Sequence, residues 1–197
     1  QGPVIKPLLW GTAIGVSIKA IEIIIMIFAG SNAELSSNIP DGASLISVIG
    51  FSALFFIILL TLNSLKEELV FRAYPIELFN DYPGMAIPVI IGVSLLFAGI
   101  HHILEPFTVT AFLSRFLVAL LFSYVYYKSR SIWLVSGIHN GLNLLSFLLG
   151  ANWKSGGLLR LSLDYPSDAL QIAADVFINT AAIYGFYLYW KRKMHIK

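Results

Sequence analysis

The sequence predicts an all-α protein: a multi-pass membrane bundle of about six transmembrane helices, with both termini in the cytosol. Three observations lead to this fold class. Hydrophobic residues make up 57% of the 197 residues and charged residues only 12%, whereas a soluble domain carries about 25% charged residues. Mean hydropathy is +0.79. Several segments are apolar over roughly the 20 residues that a spanning helix requires.

The predicted spans follow one another along the chain and are separated by turn-rich breaks. They are expected at 8–29, 46–74, 86–105, 107–127, 131–149 and 169–190. The two long breaks, 30–43 and 150–168, are rich in Gly, Asn, Ser, Pro and Asp, which are typical of turns. We divide the chain into residues 1–3 that resemble a protease-cleavage scar, a first helix and loop over 4–43, a four-helix core over 44–150, and a loop, last helix and basic tail over 151–197.

Lysine and arginine are distributed unequally between the two sides that six spans define. Two of them, Lys154 and Arg160, fall on one side, and a larger group falls on the side of both termini: Lys6, Lys128, Arg130, Lys191, Arg192, Lys193 and Lys197. The positive-inside rule therefore places both termini in the cytosol.

Composition also excludes several classes of function. The net charge is only +2 and basic residues cluster only at the C-terminal end, so we expect no nucleic-acid partner. The chain has no cysteine, which excludes a disulfide scaffold, a thiol nucleophile and a cysteine-ligated zinc site. The expected partner is the lipid bilayer.

The second span ends in a group of charged residues, Glu67, Glu68 and Arg72. Glu68 and Arg72 are four residues apart and can pair on one helix face. Glu67 is rotated by about 100° and is left free to act as a general base, a role that burial favours. The alternative is a helix end at the membrane interface with solvated charges.

The third and fifth spans carry imidazole and carboxamide groups at helical spacing. Phe97 precedes His101 by four residues, so its ring can pack beneath the imidazole, and Gly99 is expected to permit close approach of another helix. His139 precedes Asn143 by four residues, and the two can donate hydrogen bonds to a developing oxyanion. The alternatives are an interfacial or satisfied core histidine and ordinary interhelical hydrogen bonding.

Ionisable groups inside spans are costly and mark function, and these three sets together provide what peptide hydrolysis in a membrane requires. They offer a base to activate water, a partner to hold that water and donors for the tetrahedral intermediate.

The three motifs resemble those of the CPBP family, the CAAX proteases and bacteriocin-processing enzymes also called the Abi family, to which the type II CAAX prenyl proteases belong. The residues that carry the resemblance are Glu67-Glu68-Leu69-Val70-Phe71-Arg72, Phe97-Ala98-Gly99-Ile100-His101 and His139-Asn140-Gly141-Leu142-Asn143. Each motif alone is a weak pattern, but three of them in this order in apolar helices are specific.

The resemblance implies an intramembrane endopeptidase of the glutamate type. It assigns water activation to Glu67 and His101, organisation of the site to Glu68 and Arg72, and oxyanion stabilisation to His139 and Asn143. We expect no cofactor. In an alternative interpretation zinc is bound by Glu67, His101 and His139, since two histidines and a carboxylate make a plausible metal site. We favour the metal-free chemistry.

The expected substrate is a membrane-associated peptide or protein, such as a prenylated CAAX-type C-terminus, a bacteriocin precursor or another membrane protein. Six spans in a short chain suggest a prokaryotic cell-membrane protein. One alternative is a catalytically silent bacteriocin-immunity or partner-binding membrane protein, against which the presence of Glu67 and His101 argues. A small transporter is another, but we find no repeat of the kind such proteins carry.

Other charged residues within the spans are predicted to be structural. Lys19 and Glu22 are three residues apart and are expected to pair. Arg115 requires a partner, and Glu22, Glu105 or the Glu67–Glu68 pair are candidates.

Overall fold

The protein is an α-helical bundle, which confirms the predicted fold class. The computed structural model describes residues 4–37, 39, 44–103, 105–149, 159–164 and 167–195. The helices are α1 (Ile5–Phe28), α2 (Leu45–Phe55), α3 (Thr61–Glu68), α4 (Tyr74–Leu78), α5 (Ala86–Ile100), α6 (Val109–Ser129), α7 (Ile132–Leu148) and α8 (Asp168–His195). The scar expected at residues 1–3 and the end of the basic tail lie outside the described residues.

Each predicted span corresponds to a helical segment. Within the described ranges, four segments are long and apolar enough to cross a membrane: Ile5–Phe28, Ala86–Ile103, Val109–Ser129 and Asp168–Arg192. Helix α7 is apolar but shorter. The remaining span coincides with the helical run 45–78, which π-helical turns at Phe56–Leu60 and Leu69–Ala73 divide into α2, α3 and α4. The chain is therefore a multi-pass integral membrane protein.

The two long turn-rich breaks contain an antiparallel strand pair that the sequence interpretation missed. Strand β1 (Asn32–Ser37) pairs with β2 (Leu159–Asp164). The sequence of β2 alternates leucine with polar residues, a strand pattern, but the turn residues around it obscured this signal. Because β1 follows α1 and β2 precedes α8, the pair lies at the end of the bundle opposite both termini.

A tight reversal sets α7 beside α6. Arg130 has a left-handed backbone with φ of 52°, which costs free energy in a residue other than glycine. Its guanidinium donates through Nη1 to Glu77 Oε1 at 3.0 Å and through Nη2 to Asn80 Oδ1 at 2.5 Å. Ser131 then caps α7 by accepting from the Leu134 N–H at 3.2 Å. These contacts hold the turn.

Helices α1 and α7 interlock through two pairs of glycines. A Cβ added at Gly15 would lie 2.1 Å from the carbonyl oxygen of Ile138, and one added at Gly141 would lie 2.2 Å from that of Thr12. Gly11 and Gly137 make the same kind of backbone contact. The prediction for Gly99 was wrong, because no other helix of the described chain comes within 4 Å of where its Cβ would be.

The apolar core lies between the α4–α5 region and helices α6 and α7. Its buried residues are Ile76, Val89, Val93, Leu121, Phe122, Val125, Tyr126, Val135 and Ile138. This core packs α5, α6 and α7 around the helical run that carries the acidic residues, and so determines which side chains meet.

Charged residues predicted to be structural are paired as expected. Lys19 Nζ lies 2.6 Å from Glu22 Oε1. Arg115 pairs with Glu105, one of its three candidate partners, and its Nη1 also lies 3.3 Å from His102 Nε2.

Candidate active site

A buried ion pair forms the base of the site. Glu68 ends α3, and Arg72 lies in the π-helical turn that follows, Leu69–Ala73. Arg72 Nη1 donates to Glu68 Oε1 at 3.0 Å, and both side chains are 0% exposed, which confirms the predicted pairing. π-Helical turns inside α-helical runs are rare, and those that occur are often found at functional sites.

His139 reaches this ion pair from α7. Its Nδ1 lies 2.8 Å from Glu68 Oε1. Because a carboxylate paired with arginine can only accept, Nδ1 must carry the proton. The other ring nitrogen, Nε2, lies 3.8 Å from Glu67 Oε2. His139 therefore lies between the two adjacent carboxylates and is oriented by the buried one.

Aromatic rings surround the Arg72 guanidinium. Its Cζ lies 4.2 Å from the ring centroid of Phe97 and 5.2 Å from that of Phe122, distances at which a cation is attracted to a ring face. Arg72 Nε and Nη2, like Glu68 Oε2, have no hydrogen-bond partner within the described chain. Packing on rings thus supplements the single ion-pair contact.

Glu67 is the more accessible carboxylate, with 17% of its side chain exposed. Asn63, one turn earlier on α3, donates through Nδ2 to Glu67 Oε1 at 2.6 Å. The other oxygen, Oε2, faces His139. This environment leaves a carboxylate oxygen that water can reach.

His101 lies at the end of α5, in the 3-10 turn His101–Ile103. Its Nδ1 lies 2.7 Å from the carbonyl oxygen of Phe97, and a carbonyl can only accept, so Nε2 is left as the acceptor of the neutral ring. The Phe97 centroid lies 4.6 Å from that of His101 and 6.3 Å from that of His139. Phe97 therefore contacts His101 as predicted and links it to His139.

The structure brings together only part of the predicted set by direct polar contact. Glu67, Glu68, Arg72 and His139 form one connected group. Within the described residues, His101 joins this group only through the Phe97 ring and makes no hydrogen bond to Glu67.

Asn143 is held against α3 by a residue that the sequence interpretation missed. Its Nδ2 donates to Ser64 Oγ at 3.3 Å, and Ser64 is fully buried. Asn140, which precedes it on α7, donates to Thr61 Oγ1 at 3.2 Å. Thr61, Ser64 and Glu68, the residues of α3 that contact α7, follow one another at spacings of three and four and so share one helix face. This spacing is a signal in the sequence that could have identified Thr61 and Ser64.

The alternative zinc set does not converge. Among the residues that the structure describes, no three His, Cys, Asp or Glu side chains are close enough to hold a metal ion. Glu67 Oε2 and His139 Nε2 approach each other to 3.8 Å, but within the described chain His101 makes no polar contact with either of them. We therefore derive no step through a metal.

Comparison with known proteins agrees with the motifs. Residues 49–145 match the model of the family described as type II CAAX prenyl endopeptidase Rce1-like, which confirms the resemblance to the CAAX protease family. No curated protein and no solved structure matches the chain significantly. The matched segment runs from α2 to α7 and contains every predicted site residue. It supports a CAAX protease-type function, and hence a hydrolase that acts on a peptide in the membrane.

Proposed function

We propose that this protein is an intramembrane endopeptidase of the glutamate type, which hydrolyses a peptide bond in a membrane-associated or prenylated substrate. The observation that carries the proposal is the arrangement of two adjacent carboxylates around one imidazole: Glu68 is buried and neutralised by Arg72, while Glu67 is accessible. The two carboxylates thus have the different environments that a positioning group and a base require.

Glu67 is the base in this proposal. A water molecule held by Glu67 Oε2 and by the free Nε2 of His101 loses a proton to Glu67 as its oxygen attacks the carbonyl carbon. The tetrahedral intermediate then breaks its C–N bond, and Glu67 returns the proton to the leaving amine. The step consumes one water and leaves the enzyme unchanged.

His139 and Asn143 stabilise the oxyanion. Since His139 Nδ1 donates to Glu68, a second donor at Nε2 requires the doubly protonated ring, which would lie between the two carboxylates Glu67 and Glu68. Asn143 uses one of its two N–H donors on Ser64 and retains the other for the oxyanion. Removing one such donor typically lowers kcat by 10² to 10³-fold.

The proposal is tested by cleavage of a quenched fluorescent farnesylated CAAX-type peptide by the purified protein in detergent. We expect Glu67→Gln and His101→Ala to abolish cleavage while the proteins stay folded. The matched controls are Glu34→Gln, an exposed carboxylate on β1, and His102→Ala, the neighbouring histidine whose Nδ1 contacts the Pro106 carbonyl instead. Both controls should retain wild-type activity.

Treatment with a strong chelator separates the two mechanisms. We expect cleavage to be unchanged, whereas activity lost on chelation and restored by zinc would replace the metal-free mechanism. An inactive wild-type protein would reject prenyl-peptide specificity, and the same variants would then be compared on bacteriocin-like and membrane-protein substrates. Activity that survives Glu67→Gln on any of these would overturn the assignment of the base.

A further inference from the structure

A chain of polar contacts continues beyond Glu67 along the exposed side of α3. Asn63 Nδ2 donates to Glu67 Oε1 at 2.6 Å. Lys66 Nζ donates to Asn63 Oδ1 at 2.7 Å. Asn63 precedes Lys66 by three residues and Glu67 by four, so its side chain can contact both of them one turn further along the helix. Neither Asn63 nor Lys66 belongs to the motifs that define the site.

The two neighbours of Asn63 determine which way its amide points. If the amide were turned around, its oxygen would face the Glu67 carboxylate and its NH₂ group would face the Lys66 ammonium, so both contacts would be repulsive. The orientation with the NH₂ group on Glu67 is therefore the one that the local charges select.

The contact leaves the two oxygens of Glu67 in different situations. Oε1 accepts from Asn63, while Oε2 faces His139 Nε2 at 3.8 Å. A glutamate side chain has three rotatable bonds, and a base acts well only when its reacting oxygen is held in place. Asn63 restrains the carboxylate so that Oε2 is the oxygen presented to water.

We infer that Asn63, held by Lys66, is a positioning residue that orients Glu67 for proton abstraction. The inference rests on the proposed function, since it assigns Asn63 a part in that reaction. Because a misplaced catalytic group can lower the rate by about 10²-fold, we expect loss of this contact to lower kcat roughly 10- to 100-fold.

The test compares Asn63→Ala with Asn63→Asp in the peptide-cleavage assay. Alanine removes the donor, whereas aspartate keeps the shape of asparagine but presents an oxygen to the Glu67 carboxylate. If Asn63 orients Glu67, kcat falls for alanine and falls further for aspartate, with KM unchanged. If Asn63 only fills space, aspartate is the milder change, and that order would overturn the inference. Asn32→Ala, the same chemical change at an exposed position of β1, serves as the control.

Variants of Lys66 test the second contact. Lys66→Met should lower kcat less than Asn63→Ala does, and Lys66→Arg, which keeps a cationic donor, should restore most of the loss. If Lys66→Met and Lys66→Arg lowered kcat equally, a role for the Lys66 charge would be contradicted.

A thermal-unfolding cycle separates failure of this inference from failure of the proposed function, because it requires no activity. Melting temperatures are measured for wild type, Asn63→Ala, Glu67→Gln and the double variant. A bond between the side chains makes the two shifts non-additive, while additive shifts would overturn the inference. An inactive wild type would reject the protease proposal, and the cycle would still decide whether Asn63 holds Glu67.

Discussion

Two adjacent glutamates acquire different properties because they point in different directions from one helix. Glu68 is fully buried between Arg72 and His139. Glu67, about 100° away around the helix axis, keeps 17% of its side chain exposed and accepts from Asn63. The same functional group is thus buried and paired with arginine at position 68 and accessible at position 67, as the proposed positioning and base roles require.

This difference predicts that replacing glutamate by glutamine lowers stability more at position 68 than at position 67. Glu68→Gln leaves the Arg72 guanidinium buried without a counter-charge, which we expect to cost about 3–5 kcal/mol. Glu67→Gln removes a partly exposed charge and should cost about 1 kcal/mol while abolishing cleavage. Unfolding midpoints of the two variants in detergent, measured beside wild type, check the prediction. Equal destabilisation by both substitutions would contradict it.

At the scale of elements, the packing of α1 on α7 determines where His139 and Asn143 lie. Gly141 stands between these residues in the sequence, and its backbone contacts Thr12 of α1. Helix α1 carries none of the three motifs, but it supports the turn of α7 that presents the imidazole and the carboxamide. We therefore regard α1 as the helix that holds α7 against α3.

We expect Gly141→Ala to lower both stability and activity, because a Cβ there would meet backbone atoms that cannot move aside. Overpacking of this kind costs about 1–3 kcal/mol. Gly185→Ala on α8 is the matched control, since no neighbouring helix among the described residues lies within 4 Å of its Cβ position, and it should leave both properties unchanged. Melting temperature and peptide cleavage are measured on the same preparations. An unchanged melting temperature for Gly141→Ala would refute the close approach of the two helices.

At the scale of the whole molecule, the strand pair and the termini lie at opposite ends of the bundle. The β1–β2 pair connects the segment after α1 to the segment before α8. The excess of lysine and arginine at the other end predicts that the termini face the cytosol. We predict that the proposed site opens toward the cytosol.

The absence of cysteine allows this orientation to be measured without background. Glu34→Cys on β1 and Lys128→Cys near the end of α6 place single thiols at opposite ends of the bundle. A membrane-impermeant maleimide added to intact cells should label position 34 only, and inverted vesicles should show label at position 128 only. Both sites should react after solubilisation in detergent. The reverse pattern would refute the predicted orientation.

Much of the fold could be predicted because membrane-spanning helices leave a strong pattern in the sequence. Their length, apolarity and flanking turn residues identified the long helices of the described chain, whereas the short helix α4 extends beyond the predicted end of the second span at residue 74. The strand pair was missed because pairing joins residues far apart in the sequence. The site motifs were found because helix periodicity places residues such as Glu68 and Arg72 on one face, a property of the chain alone.

The sequence by itself determined the membrane class, the helical segments and the intrahelical contacts, namely Glu68 with Arg72 and Phe97 with His101. Tertiary structure alone decided that His139 lies between Glu67 and Glu68, that Ser64 holds Asn143, and that α1 supports α7 through paired glycines. The physical reason is the range of the interactions. A helix fixes neighbours three and four residues apart, whereas contacts between helices depend on the packing and rotation of each helix in the assembled bundle.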